Sequence, residues 1–128
     1  MIDHVSVGVR DLAAAARFYE AVLGTIGYAK VREWPTAVGF GKKYPEFWVN
    51  HRPGMIADDS GVHVCMRAPS KEAVDVFYAT ALRAGGSSDG APGPRPEYSD
   101  TYYAAFVRDP DGNRIEAVTF LAAGNAAM

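Results

Sequence analysis

The sequence predicts an α+β fold made of two copies of one module, each running strand, amphipathic helix, further strands. Three observations carry this. Ile2–Gly27 and Gly61–Gly86 align without a gap at a shift of about 59 positions. In that alignment His4 falls on His63, Val5 on Val64, Ala14 on Ala73, Phe18-Tyr19 on Phe77-Tyr78, Leu23 on Leu82 and Gly27 on Gly86. Each copy opens on a period-two strand pattern and then changes to a helical stripe. Each is followed by strand-like runs parted by Gly, Pro and Asn.

Taken in order, Ile2–Val9 alternates, with Val5, Val7 and Val9 opposite His4, Ser6 and Gly8. Asp11 caps the helix that follows, whose stripe is Leu12, Ala15, Tyr19, Val22 and Leu23, and Gly24 ends it. Strands follow near Tyr28–Trp34, Ala37–Phe40 and Phe47–Asn50, and His51–Ser60 reads as a loop. The second copy opens with Val62–Ala68, where Val62, Val64 and Met66 lie opposite His63, Cys65 and Arg67. Ser70 caps a helix with stripe Val74, Phe77, Tyr78, Ala81 and Leu82, stopped by Gly85-Gly86. Ser87–Asp100, rich in Gly, Pro and Ser, reads as a long loop, either a binding loop or plain surface. Tyr103–Arg108 and Arg114–Phe120 are strands joined by the turn Asp109-Pro110-Asp111-Gly112-Asn113. The layout is one domain over residues 1–121, with module one at about 1–54, module two at about 61–121, and a frayed tail over 122–128.

At 128 residues the chain can bury a core without disulfide or metal staples. A net charge of −2 offers no basic face for nucleic acid. No apolar run approaches the ~20 residues of a membrane span. The opening strand pattern and the single cysteine point to the reducing cytoplasm. Cys65 reads as a small core hydrophobe and His51 as a loop residue.

The valines beside each repeated histidine are best used against that module's helix, which turns His4 and His63 to the other, concave side. Glu46 shares a face with Trp48 and Asn50, and Glu116 lies opposite Ile115 and Ala117. The modules thus offer His4 with Glu46, and His63 with Glu116. Two readings stand: solvated strand residues, or two imidazoles and two carboxylates around a divalent cation of intermediate softness. Trp48, Tyr98, Tyr102 and Tyr103 read either as walls of an aromatic-tolerant substrate pocket or as core and edge aromatics. Arg67, on the His63 face, pairs either with an anionic substrate or with Glu116.

Three segments then carry a resemblance: Ile2-Asp3-His4-Val5-Ser6-Val7 with the helix to Leu23, Gly61-Val62-His63-Val64, and Asp109-Pro110-Asp111-Gly112-Asn113-Arg114-Ile115-Glu116. Over about Ile2 to Phe120 the chain resembles the vicinal oxygen chelate superfamily of glyoxalases, bleomycin-resistance proteins and extradiol dioxygenases. The resemblance implies two βαβββ modules with pseudo-twofold symmetry, forming a curved mixed sheet around a cavity. It also implies a homodimer, and one divalent metal (Zn, Ni, Co, Mn or Fe) held by His4, His63 and Glu116. Glu46 sits where glyoxalase-like members carry a fourth ligand, or serves as a general base with Glu116. The activity implied is glyoxalase-like isomerase or lyase chemistry on a small substrate with neighbouring oxygens, with oxygen insertion as a variant. The alternative is a metal-free protein that sequesters a drug or metabolite.

Overall fold

The computed structural model describes residues 1–57 and 59–122, so the predicted tail lies, from 123 onward, outside the described residues. Module one consists of β1 (Val5–Val9), α1 (Leu12–Gly24), β2 (Ala29–Trp34), β3 (Ala37–Gly41) and β4 (Phe47–His51). Module two consists of β5 (His63–Arg67), α2 (Lys71–Arg83), β6 (Ser87–Pro94), β7 (Tyr102–Arg108) and β8 (Arg114–Phe120). Each forms its own four-stranded sheet, in the orders β1-β4-β3-β2 and β5-β8-β7-β6. The first and last strands of each module pair parallel, and the remaining pairs are antiparallel. The two βαβββ modules and the mixed sheets are therefore as the sequence predicts, with the sheets left open rather than closed on each other.

The helices form for local reasons. Asp11 accepts the Ala14 N–H at 3.0 Å and Ser70 the Ala73 N–H at 3.1 Å, each satisfying an N-terminal donor. In α1, Ala15, Ala16, Phe18, Tyr19, Val22 and Leu23 are buried, and in α2, Val74, Phe77 and Ala81. These residues meet Val9, Val38, Phe40, Phe47 and Val49 from one sheet and Met66, Val107, Ile115 and Ala117 from the other in one core. Burying each of the larger side chains contributes about 1.5–3 kcal/mol.

Four expectations are corrected. Gly24 does not stop α1, which runs through it and closes at Thr25, whose hydroxyl donates to the Val22 carbonyl. Leu82 leaves the stripe and is 39% exposed, because it lies about 100° round the helix from buried Ala81. Most of the expected loop Ser87–Asp100 is the strand β6. Gly and Pro are tolerated there because β6 is an edge strand, paired only with β7, with register breaks between Ser88 and Gly90 and between Gly90 and Gly93. Cys65 is exposed on the open sheet face rather than part of the core.

The modules are clasped by the Asp109–Asn113 turn. The buried Asp109 carboxylate accepts the Asp111 and Asn113 N–H groups at 2.9 and 2.8 Å, the Asn113 amide at 2.9 Å, and the Tyr19 hydroxyl at 2.6 Å. Asn113 Nδ2 also donates to the Gly8 carbonyl at 2.8 Å, and the Arg10 N–H donates to Asp111 at 3.0 Å. Among the described residues no helix is long and apolar enough to cross a membrane.

Candidate metal centre and its flanking faces

The ladders set which side chains share the open faces. On module two, β5 presents His63, Cys65 and Arg67, paired with Arg114, Glu116 and Val118 of β8. Phe106 of β7 lies across from Glu116, and Tyr102 across from Phe120. His63 Nε2 lies 3.1 Å from Glu116 Oε1, so the structure brings this predicted pair together. Glu116 is buried, and its other oxygen accepts the Tyr102 hydroxyl at 2.5 Å. Burial, and then the bond to Glu116, raises the Tyr102 phenol above its ordinary value. Although Cys65 as a residue is exposed, its sulfur is partly desolvated beside Tyr102 and Glu116, and this, reinforced by the Glu116 charge, pushes the thiol up to about 12.

On module one His4 stands just before β1, level with Glu46, because Val5 pairs with Phe47 and its N–H donates to the Glu46 carbonyl at 3.0 Å. His4 Nδ1 lies 2.7 Å from the Asp3 carboxylate, which also accepts the Tyr44 hydroxyl. The bond from His4, followed by that from Tyr44, holds the Asp3 carboxyl below the usual carboxylate range. Since a carboxylate only accepts, His4 Nδ1 is the donor to Asp3. His63 repeats the device, with Nδ1 3.2 Å from the Gly61 carbonyl. Both imidazoles are therefore fixed through Nδ1, the arrangement that orients a metal-ligating histidine.

The four predicted ligands do not meet within one chain. His4 lines a cavity of about 320 Å³ with Val5, Glu46, Met66 and Arg67. His63 lines another, of about 180 Å³, with Val7, Val62 and Asn113. The first strands of the two modules thus pass in opposite senses, leaving His4 and His63 at opposite ends of the seam. Among the described residues no three His, Cys, Asp or Glu side chains gather to hold a metal.

Nor are the two carboxylates equivalent. In the ladders Cys65 faces Glu116, whereas its repeat counterpart Ser6 faces Trp48. Trp48 therefore occupies the position matching Glu116, and Glu46 the position matching Arg114.

The predicted pocket residues divide. Tyr102, Tyr98 and Arg67 lie on module two: Tyr98 meets Tyr102 edge-on at 5.0 Å, and the Arg67 guanidinium lies 4.7 Å over the Phe120 ring instead of pairing with Glu116. Tyr103 turns to the helix side, where its hydroxyl donates to Asp75 at 2.7 Å. Trp48, on module one, is partnered by Trp34 at 4.8 Å. Sequence reasoning passed over Trp34, Phe106 and Phe120, although their even-numbered strand positions carried the signal. It also passed over the Tyr19–Asp109 bond, which joins residues too far apart in sequence for any pattern to connect.

The family model described as Glyoxalase/Bleomycin resistance protein/Dioxygenase superfamily matches residues 1–117. A glyoxalase/bleomycin resistance protein from Albidiferax ferrireducens T118 is 32% identical, with a TM-score of 0.80 over 91% of this chain and 95% of that one. A glyoxalase/bleomycin resistance protein/dioxygenase family enzyme from Burkholderia phytofirmans PsJN is 22% identical, with a TM-score of 0.72 over 94% and 98%. A glyoxalase-related enzyme from Fulvimarina pelagi is 20% identical, with a TM-score of 0.71 over 95% and 99%. At identities this low the last two speak for the fold alone. No curated protein matches the chain.

Proposed function

Since the chain belongs to the glyoxalase/bleomycin resistance protein/dioxygenase superfamily, we propose that it is a divalent-metal-dependent enzyme acting on a small substrate with neighbouring oxygens, by isomerase or lyase chemistry. The observation that carries this reading is the way the three ligand candidates are held. His4 Nδ1 is tied to Asp3, His63 Nδ1 to Gly61, and Glu116 Oε2 to Tyr102, which sets the remaining His63 nitrogen and Glu116 oxygen against each other. Moreover, the His63 nitrogen and the Glu116 oxygen, 3.1 Å apart, require a proton or a cation between them. Two imidazoles and a carboxylate suit Zn, Ni, Co, Mn or Fe.

Because His4 lies at the far end of the seam, the set is completed by a second copy, with His4 from one chain joining His63 and Glu116 of the other in a twofold dimer. The bound metal would polarise a substrate oxygen and acidify the neighbouring carbon. Glu46, exposed beside His4, then takes the role of base rather than fourth ligand, since Trp48 holds the position matching Glu116. It would take a proton from one oxygen-bearing carbon of the substrate and return it to the neighbouring one. The free Cys65 suits a reducing compartment, and we place the protein in the cytoplasm.

Elemental analysis of the purified protein tests the reading. About one metal per chain, lost in both His4→Ala and His63→Ala and restored to roughly a quarter of that when equal amounts of the two variants are refolded together, since half the dimers are then hybrids with one intact site, is the expected result. A protein that takes up no metal after incubation with Zn, Ni, Co, Mn and Fe(II) overturns it. The pairing of exposed Trp34 with half-buried Trp48 favours the second reading, a metal-free protein that sequesters an aromatic drug or metabolite.

A further inference from the structure

We infer that Tyr102 is a positioning residue: its phenol O–H, by occupying Glu116 Oε2, makes Glu116 a one-oxygen donor with Oε1 set toward His63. This deepens the function proposed above and rests on it for the cation, although the placing of the carboxylate stands without one.

The contact is not one that strand pairing supplies. Tyr102 pairs with Phe120 across β7 and β8, whereas Glu116 pairs with Phe106, two same-face rows further along. A separation of four residues at about 3.3 Å each is roughly 13 Å along the strand. The row between them is Ala104 and Val118. Neither side chain is long enough to block the way, so the phenol leans along the strand over that row. Its oxygen ends 2.5 Å from Glu116 Oε2.

Two edge-on aromatic contacts brace the ring, Tyr98 at 5.0 Å and Phe120 at 5.4 Å. A phenylalanine would pack against both equally well, and only the hydroxyl reaches Glu116. At 2% exposure that carboxylate has almost no access to water, so each oxygen needs a partner from the protein or from a bound ion. Tyr102 takes Oε2, and His63 Nε2 faces Oε1 at 3.1 Å. The phenol thereby decides which oxygen is left to work with the imidazole.

Module one shows that the hydroxyl is not a property of the repeat. There Trp48 holds the position matching Glu116, and Ala37 the position matching Ala104. Two residues before Ala37 stands Pro35, where module two has Tyr102. The hydroxyl occurs only on the module that carries the carboxylate.

Carboxylate ligands in metal sites are themselves held by hydrogen bonds, and losing such a partner weakens metal binding roughly 10–100-fold. Zinc competition against a chromophoric chelator tests this on wild type, Tyr102→Phe and Phe120→Leu. Tyr102→Phe keeps the ring and loses the O–H; zinc affinity is expected to fall roughly 10–100-fold with the circular dichroism spectrum unchanged. Phe120→Leu removes a brace and keeps the O–H, and should bind zinc within about threefold of wild type. An affinity of Tyr102→Phe equal to or above wild type overturns the proposal. So does an equal loss in Phe120→Leu, which would make Tyr102 a packing residue. A second readout needs no cation. In metal-free protein the nitrogen NMR resonance of His63 Nε2 should move in Tyr102→Phe and stay in Phe120→Leu, because only the first loosens the bond to Glu116. An unmoved resonance in Tyr102→Phe overturns the positioning role. A wild type that binds neither zinc nor the other metals named above overturns the proposed function instead, and the imidazole resonance then decides the role of Tyr102 by itself.

Discussion

Replacing Tyr19 by Phe removes one oxygen atom from the clasp between the modules and little else. The ring stays packed, with Phe18 and Phe47 each 5.0 Å away and Phe40 at 6.1 Å. What is lost is the 2.6 Å hydrogen bond to the buried Asp109 carboxylate, which then relies on Asn113 and two backbone N–H groups. A bond to a charged acceptor contributes about 1.5–3 kcal/mol, so that is the expected destabilisation at pH 7. The difference should depend on pH. Burial, and then the Asp109 charge, holds the Tyr19 phenol well above its ordinary value. The folded protein therefore keeps this proton, while the unfolded chain releases it above a pH of about 10. With more protons on the native state, stability falls as pH rises, by about 1.4 kcal/mol per unit for this group. Urea unfolding of wild type and variant at several pH values should show the gap narrowing from about pH 10 upward and closing one to two units later. A gap below about 0.5 kcal/mol at neutral pH, or one that does not narrow, would refute the assignment of Tyr19 to this bond.

Other outcomes follow from the same geometry. Gly39→Ala should cost about 1–3 kcal/mol by overpacking against Trp48 and Pro45, and intrinsic fluorescence should report a displaced indole. In metal-free protein Cys65, with its thiol near 12, should react with iodoacetamide at pH 8 roughly a thousandfold slower than an ordinary thiol; Glu116→Gln, which removes the carboxylate charge, should speed it. Zn²⁺ at about a hundred times its dissociation constant should stabilise the wild type by about 2.7 kcal/mol, read as a raised melting temperature, and leave Glu116→Gln unchanged.

How much of this was legible in the sequence depended on whether the signal was local. Capping by Asp11 and Ser70, the alternation around His4 and His63, and the Asp109–Asn113 turn are all settled within a few residues, and each element formed as expected in kind, although β1 begins only at Val5 rather than Ile2 and β5 spans His63–Arg67 rather than Val62–Ala68. The strand β6 was hidden because Gly90, Pro92 and Pro94 argue against a strand unless it lies at an edge, and edge position is a tertiary fact. Cys65 was misplaced because the same alternation that exposes His63 exposes it too, and its preference for burial was given more weight. Pairing Glu46 with Glu116 as matched carboxylates followed from face alone. Register distinguishes them by two residues along the ladder, and register is set by loop lengths that differ between the modules.

The Asp109–Asn113 turn shows how a recognisable motif serves a site without touching its chemistry. None of its side chains points a donor at the His63–Glu116 pair; Asp109, Asp111 and Asn113 are all engaged with Tyr19, Arg10 and Gly8 of module one or with the turn itself. Yet β8 begins at the next residue, and its register with β5 opens at Arg114 opposite His63. Glu116 is three residues beyond Asn113, so anchoring the turn fixes the carboxylate against the imidazole. A one-residue slip would turn Glu116 into the core and Ile115 outward. The inter-module bonds that hold the turn are therefore also what keeps the His63–Glu116 pair in register, which ties the stability of the clasp to the geometry of the proposed chemistry.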